Sequence, residues 1–292
     1  YQVSVDADNF DPAGALSGFQ PSPISQGTDG ALDSNASPTG TDPVTLLSGQ
    51  SDPDLDFGYF KATAAIGDRV WEDSNANGQQ DAGEAGIAGA TVRLYTCVDG
   101  VPDTLVATAT TDASGNYAFS GLVPGNYVVA FETPNGYTLS TADVGADDGL
   151  DSDAGLGGLT GCYTLASGET NNTVDAGFWR PAAIGDRVWL DANANGQQDA
   201  GEAGVAGVTV ELYACVDGQP SGGALAATTT DADGHYAFTG LVPGHYVVKF
   251  VTPTGYSLSP VDVGADGSDS DAALSGFTGC YTLASGETNN TV

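Results

Sequence analysis

Positive charge is almost missing from this chain: six Lys plus Arg stand against 38 Asp plus Glu in 292 residues, a formal net charge of -32. Such a surface repels phosphate backbones and anionic lipid headgroups, which argues against nucleic acid and membrane surfaces and for cations as partners. Methionine is absent, so Tyr1 is not a translation start and the chain reads as an internal or processed segment. No apolar run is long enough to cross a bilayer. Histidine is confined to His235 and His245. No G-x-S-x-G elbow, phosphate-cradling G-x-x-x-x-G-K or H-E-x-x-H helix is present, and these absences together argue against an enzyme.

Asp outnumbers Glu by 31 to 7, and Gly contributes 42 residues. Asp and Gly are residues of turns and metal loops, whereas helical surfaces share their acidity with Glu. With Val, Thr and Tyr plentiful, the composition predicts an all-β chain.

Internal repetition dominates. Ile66–Trp71 (IGDRVW) returns as Ile184–Trp189, Asn75–Gly86 (NANGQQDAGEAG) as Asn193–Gly204, and Gly161–Val174 as Gly279–Val292, at an offset of 118. One complete repeat is expected at 66–179 and another at 184–292 lacking its last strand, with linkers at 61–65 and 180–183. Residues 1–60 read as the C-terminal half of a third repeat, because Tyr1–Val5 fits Tyr127–Phe131 and Leu55–Phe60 (LDFGYF) fits Val174–Trp179 (VDAGFW). His235 and His245 face Asn116 and Asn126 in the other repeat, which removes any shared catalytic histidine.

Within a repeat, β-rich runs alternate with Gly, Asp, Asn and Pro clusters, the pattern of a β-sandwich of about seven strands. The runs are 66–71, 90–97, 105–111, 116–122, 126–133, 162–165 and 173–179. Tyr117 and Phe119 share one face by period two, as do Tyr127, Val129 and Phe131, and these faces are expected to meet in the core. Trp71, Trp179, Trp189, Tyr127 and Tyr246 fall in strands, where core packing is a commoner fate than sugar stacking.

The sharpest motif is D-S-N-A-N-G-Q-Q-D-A-G-E at Asp73–Glu84, repeated at Asp191–Glu202. It meets the calcium-loop pattern D-x-[DN]-x-[DN]-G-x5-E at every constrained position. A hard cation wants oxygen donors at alternate positions of a curling loop. Asp73, Asn75 and Asn77 would supply side chains, Gln79 its carbonyl, Asp81 a direct or water-borne contact, and Glu84 the closing carboxylate. The second set is Asp191, Asn193, Asn195, Gln197, Asp199 and Glu202. No helical periodicity flanks either loop, so each is set between strands; the bland alternative is a polar turn with coincidental spacing. Asp112 and Asp231 read as hairpin-turn residues.

The ordered run IGDRVWEDSNANGQQDAGEAGIAGATVRLY, TTDASGNYAFSGLVPGNYVVAF and LDSD resembles the SdrD B-like repeats of staphylococcal serine-aspartate-repeat surface adhesins, within the broader Cna-B-like group. The resemblance covers nearly the whole chain. It implies tandem immunoglobulin-like (Cna-B/prealbumin-like) β-sandwich repeats, calcium-rigidified, in a secreted or wall-attached protein. It also implies further calcium positions, for which Asp68, Asp151, Asp153 and Asp175, Asp186, Asp269 and Asp271, and Asp33 and Asp56 offer carboxylates. Taken alone, such Asp-Gly loops are more often solvated turns.

The internal Lys–Asn crosslink of many Cna-B-like domains is not expected, since Lys61 sits in a linker and Lys249 corresponds to Ala130. In an extracellular array the repeated 65-residue separation of Cys97 from Cys162 and of Cys215 from Cys280 reads as one disulfide per repeat. Free buried thiols are the alternative, and metal thiolate clusters are disfavoured because no C-x-x-C accompanies the cysteines. Asn35, Asn171 and Asn289 stand in N-x-[ST] sequons, read as surface-loop markers and candidate glycosylation sites.

The expected role is mechanical: an extracellular stalk or filament at the cell surface or in a secreted fibre, its partners neighbouring repeats or copies of the same protein. Three other readings stand beside it: an adhesin face for a host or matrix partner, strand exchange between chains at the missing last strand, and acidity as an adaptation to high salt.

Overall fold

The computed structural model describes residues 1–24, 34, 36, 37, 40, 41 and 43–292; Asp33 and Asn35 lie outside the described residues. The N-terminal segment carries β1 (Phe19–Pro21), β2 (Ala36–Ser37), β3 (Gly40–Thr41) and β4 (Tyr59–Lys61). The first complete repeat follows as β5 (Ala64–Glu72), β6 (Thr91–Val98), β7 (Val101–Thr110), β8 (Asn116–Leu122), β9 (Gly125–Phe131), β10 (Thr138–Leu139), β11 (Tyr163–Leu165), β12 (Thr170–Asn171) and β13 (Ala176–Trp179). The second is β14 (Ala182–Arg187), β15 (Thr209–Val216), β16 (Gln219–Thr229), β17 (His235–Leu241), β18 (Gly244–Phe250), β19 (Phe277–Leu283) and β20 (Thr288–Asn289).

Each of these two repeats is a two-sheet sandwich. In the first, one sheet runs β10-β13-β5-β12 with β8 also on β5, and the other runs β11-β9-β6-β7. In the second repeat the corresponding sheets are β17-β14-β20, without counterparts of β10 and β13 among the described residues, and β16-β15-β18-β19. Alternation builds the core: Tyr117 and Phe119 of β8 are buried while their neighbours face out, and Val92 and Leu94 of β6 meet Val129 and Phe131 of β9. Trp71, Phe178, Ile66 and Leu94 are its largest fully buried side chains in this repeat. The Asp-Gly pairs joining β6 to β7 and β15 to β16 turn tightly because both residues take positive φ: Asp99 52° and Gly100 82°, Asp217 51° and Gly218 75°.

Two linker boundaries need correction. Lys61 belongs to β4 and Ala64 already opens β5, so Ala62 and Thr63 alone intervene; Ala182 likewise opens β14 directly after Arg180 and Pro181. Ala64 and Ala182 pair with Leu122 and Leu241 and are almost wholly buried, which draws the linker ends into the sheets. Tyr1–Val5, expected as a strand, is not assigned as one. Yet Tyr1 and Val44 exchange backbone hydrogen bonds of 2.6 and 2.8 Å, and Thr41 N–H donates to the Val3 carbonyl at 2.9 Å. These match the Tyr127–Tyr163 pairing and the Thr160-to-Val129 bond of the first repeat. The register persists, although among the described residues no strand pairs with it on the other side.

Candidate cation loops and the junction between repeats

The loop after β5 curls because its own side chains accept its backbone N–H groups. Asp73 takes Asn77 N–H at 3.1 Å and Gly78 N–H at 2.8 Å on its two oxygens, Asn75 Oδ1 takes Asn77 N–H, and Asn77 Oδ1 takes Gln79 N–H. Glu84 closes the ring by accepting from Ser74 N–H (2.7 Å), Ser74 Oγ (2.8 Å) and Asp81 N–H (3.0 Å). The amides of Asn75 and Asn77 both donate to Asp81 Oδ2, at 2.8 and 2.9 Å. Two positive dipoles thus converge on one carboxylate oxygen inside a ring of oxygen donors.

Gly78 is required twice over: its φ is +81°, and a Cβ there would lie 2.4 Å from the Thr141 carbonyl. Asp191–Glu202 repeats the arrangement almost bond for bond, with Asn193 and Asn195 donating to Asp199 Oδ2 and Gly196 held against Pro260. Burial pushes the Asp191 carboxyl up, but hydrogen bonds from Gly196, Ser259, Asn195 and Ala194 outweigh it and hold the group below its ordinary value. The donor set fits a hard, oxygen-seeking cation. Among the described residues, however, no three His, Cys, Asp or Glu side chains stand close enough to hold a metal by themselves, so the Asn and backbone oxygens would have to share the work.

Each loop is anchored at its far side by a residue to which the sequence reading assigned no role. Arg69 donates to the carbonyls of Glu84 (2.8 Å) and Ser114 (3.1 Å), and Arg187 does the same to Glu202 and Asp233. Asp112 and Asp231 make hairpin turns, each accepting two backbone N–H groups.

The further carboxylates divide. Asp153 and Asp175 come together, with the Asp68 charge nearby. Asp153 accepts from Asp175 N–H at 2.6 Å and from Tyr163 OH at 2.7 Å, and Asp175 Oδ1 accepts from Arg69 N–H at 2.9 Å. Asp175 is fully buried and its Oδ2 has no partner among the described residues. Burial first, then the nearby Asp68 charge, pushes Asp175 up to about 8, while burial raises Asp153 to about 6. Asp151 is joined instead to the first loop through its backbone pairing with Gln79. In the second repeat Asp271 accepts from Tyr281 OH and is likewise raised by burial to about 6; Asp186 is raised, and Asp269 pairs through its backbone with Gln197. Asp56 is exposed on the N-terminal segment.

Both disulfides are formed, Cys97–Cys162 and Cys215–Cys280, with Cα separations of 6.1 and 6.0 Å. The sequons correct the loop expectation. Asn171 and Asn289 lie partly buried in β12 and β20, paired parallel with β5 and β14, and their Oδ1 atoms accept from Thr173 and Thr291 of the same sequons.

The junction between these two repeats was not foreseen as a site. Glu72 Oε1, at the end of β5, accepts from Arg180 Nε (3.0 Å), Arg180 Nη2 (2.7 Å) and Ser285 Oγ (2.7 Å), while Tyr137 OH donates to Oε2 at 3.3 Å. Ser285 N–H donates to the Ser74 carbonyl at 2.9 Å, inside the Asp73–Glu84 loop. Arg180 N–H donates in turn to Ser285 Oγ at 2.8 Å, and Lys61 N–H makes the same bond to Ser167 at the preceding junction. The visible clue was a cation just before each repeat, Lys61 and Arg180, in a chain with only six.

Disulfide-stapled β-sandwiches joined end to end through a short, hydrogen-bonded junction define a tandem-repeat structural protein. The family model of the SdrD B-like domain matches residues 64–178 and again 182–292, and the chain belongs to that family. Over 251 residues it is 41% identical to serine-aspartate repeat-containing protein D of Staphylococcus aureus (strain Newman), covering 85% of this chain and 18% of that protein. Over 254 residues it is 39% identical to serine-aspartate repeat-containing protein F of Staphylococcus epidermidis, covering 85% of this chain and 14% of that protein. The chain therefore spans less than a fifth of these relatives. Among solved structures, a streptococcal ancillary pilin aligns with 78% of this chain and 62% of its own at 15% identity and a TM-score of 0.32. The Bacillus anthracis TIE protein aligns with 81% of this chain and 38% of its own at 13% identity and 0.31. Family membership puts the chain outside the cell, at the cell surface. No helix among the described residues is long and apolar enough to cross a membrane.

Proposed function

We propose that this chain is a length of extracellular stalk whose junction is stiffened by calcium held in the loops at Asp73–Glu84 and Asp191–Glu202. The observation that carries the reading is the continuity between the first loop and the next repeat: Glu84 holds Ser74, and the Ser74 carbonyl takes the N–H of Ser285. Ordering the loop orders the junction. Asp73, Asn75, Asn77, Asp81 and Glu84 would hold the ion with the Gln79 carbonyl, and its charge would offset the self-repulsion of a chain carrying -32. A second cation beside Asp153 and Asp175 would need oxygens beyond the carboxylates, since no three acidic side chains among the described residues stand close enough to hold one. Catalysis has no part in this reading, and neighbouring repeats are the primary partners.

A thermal melt at fixed ionic strength, with calcium and with chelator, tests it on the native chain and on an Asp73→Ala, Asp191→Ala double variant. A calcium-dependent rise in midpoint that the variant abolishes is expected. Coincident curves that respond to monovalent salt alone would refute the calcium assignment and favour adaptation to brine.

A further inference from the structure

The sequence holds three Asn-Gly pairs: Asn77-Gly78, Asn135-Gly136 and Asn195-Gly196. Such a pair carries its own chemistry, because the glycine nitrogen can close a five-membered ring on the asparagine Cγ with no Cβ in the way. The structure separates the three. Gly78 N–H donates to Asp73 Oδ2 at 2.8 Å, while Asn77 gives its amide to Asp81 at 2.9 Å and takes Gln79 N–H on Oδ1 at 2.7 Å. Gly196 and Asn195 are held in the same way by Asp191, Asp199 and Gln197.

Asn135-Gly136 has none of these ties. Residues 134–137 form a turn closed by Tyr137 N–H on the Pro134 carbonyl at 3.1 Å, with Gly136 at a φ of +83°. Asn135 and Gly136 are exposed, and neither the Asn135 amide nor the Gly136 N–H makes a hydrogen bond among the described residues. A Cβ on Gly136 would meet nothing within 4 Å, so ring closure has no bond to break and no neighbour to displace. The same turn borders the junction between repeats. Tyr137 OH donates to Glu72 Oε2 at 3.3 Å, and the Arg180 guanidinium lies 5.5 Å from the centre of the Tyr137 ring. The second repeat builds this turn without the asparagine: Tyr256 N–H donates to the Pro253 carbonyl at 3.1 Å, Gly255 has a φ of +90°, and Thr254 stands in place of Asn135.

We propose that Asn135-Gly136 is a self-modifying site whose slow conversion loosens the joint between the two repeats. The Gly136 nitrogen yields its proton to solvent base and attacks Asn135 Cγ; the Cγ–Nδ2 bond breaks, and Nδ2 takes up a proton and departs as ammonia. Water then opens the cyclic imide, at Cγ to give aspartate or at the main-chain carbonyl to give isoaspartate. Nothing is oxidised or reduced, and water is the only co-reactant. Either product adds a negative charge to the turn that carries Tyr137, in a chain already at -32. Isoaspartate also lengthens the main chain by a carbon within the turn, which moves Tyr137 away from Glu72 and Arg180. The inference concerns the turn and the junction alone, and holds whether or not cations fill the loops.

Two measurements on the full chain test this. Peptide mapping by mass spectrometry, with enzymatic methylation of isoaspartate as a second readout, follows the chain through incubation at mildly alkaline pH. Asn135 is expected to convert first, with Asn77 and Asn195 roughly tenfold slower or more, because a charge-assisted hydrogen bond on the glycine N–H must break before either can react. The joint is read from the distance distribution between spin labels at the exposed positions Ser114 and Ser221. That distribution is expected to broaden as the native chain converts, and to stay narrow through the same incubation in Asn135→Thr, which copies the turn of the second repeat. Conversion at Asn135 no faster than at Asn77 and Asn195 would overturn the site. A distribution that is broad before conversion, stays narrow after it, or broadens equally in Asn135→Thr would overturn the effect on the joint.

Discussion

Replacing Glu72 by Ala removes the acceptor of three hydrogen bonds from outside its repeat, two from Arg180 and one from Ser285, and leaves Tyr137 OH without its partner. A charge-assisted hydrogen bond contributes about 1.5–3 kcal/mol when well enclosed and less when exposed. Glu72 has a side-chain exposure of 19% but Arg180 has 47%, so the set is taken at the low end, about 2 kcal/mol of docking between repeats. At about 1.4 kcal/mol per factor of ten, the ratio of docked to undocked repeats falls by roughly 30-fold. Spin labels on the exposed positions Ser114 and Ser221, one per repeat, report the effect as a distance distribution. The native chain is expected to give a single narrow peak, and Glu72→Ala and Arg180→Ala to give broad ones of similar width. Combining them should add little, because both remove the same contact. The midpoints of the two sandwiches should hardly move, since the junction lies outside both cores. Acid provides a second lever. Burial pushes Glu72 up, but hydrogen bonds from Ser285, Arg180 and Tyr137 and the Arg180 charge together hold it below its ordinary 4.5. A depressed carboxylate stabilises the docked state above its ordinary value and loses that contribution as pH falls through the docked one, so the peak should broaden only below pH 4.5. A peak equally narrow in the Glu72→Ala, Arg180→Ala double variant would show that the contact does not set the angle between repeats.

Other perturbations separate the remaining elements. Converting Cys97 and Cys162 to Ser opens a loop of 65 residues and should lower the stability of the first repeat by about 4 kcal/mol, with the second repeat's calorimetric transition unmoved. Gly78→Ala forces a side chain into a φ of +81° against the Thr141 carbonyl and should cost about 1–3 kcal/mol, whereas Gly89→Ala, with φ +74° but open space, should cost less; chemical denaturation ranks them. In calcium-free buffer Asp175 holds its proton more tightly folded than unfolded, so stability should fall as pH rises from the ordinary aspartate range to about 8 and then level off. Asp175→Asn should flatten that slope, and an unchanged slope would place its origin elsewhere.

Much was legible in the sequence because it depends on local chemistry. Period-two alternation around Tyr117 and Phe119 marks a half-buried strand wherever it occurs, and Asp-x-Asn-x-Asn-Gly curls on hydrogen bonds spanning a few residues. Equal spacing of the cysteines in both repeats announced their pairing because a shared fold brings the same positions together. The linker ends at Lys61, Ala64 and Ala182 were misjudged because their strand character comes from pairing partners distant in sequence. Asn171 and Asn289 were taken for loop residues for the same reason.

What the sequence determined by itself was therefore the repeat, its all-β class, its curled acidic loops and its disulfide staples. Tertiary structure alone decided that Glu72 meets Ser285, 213 residues away, and that Asp153 and Asp175 are hydrogen-bonded in one buried place. Local motifs repeat because their hydrogen bonds lie within a few residues of one another. A junction and a buried carboxylate pair exist only when segments far apart in the chain are packed against each other, and no short window of sequence encodes which side chains then meet.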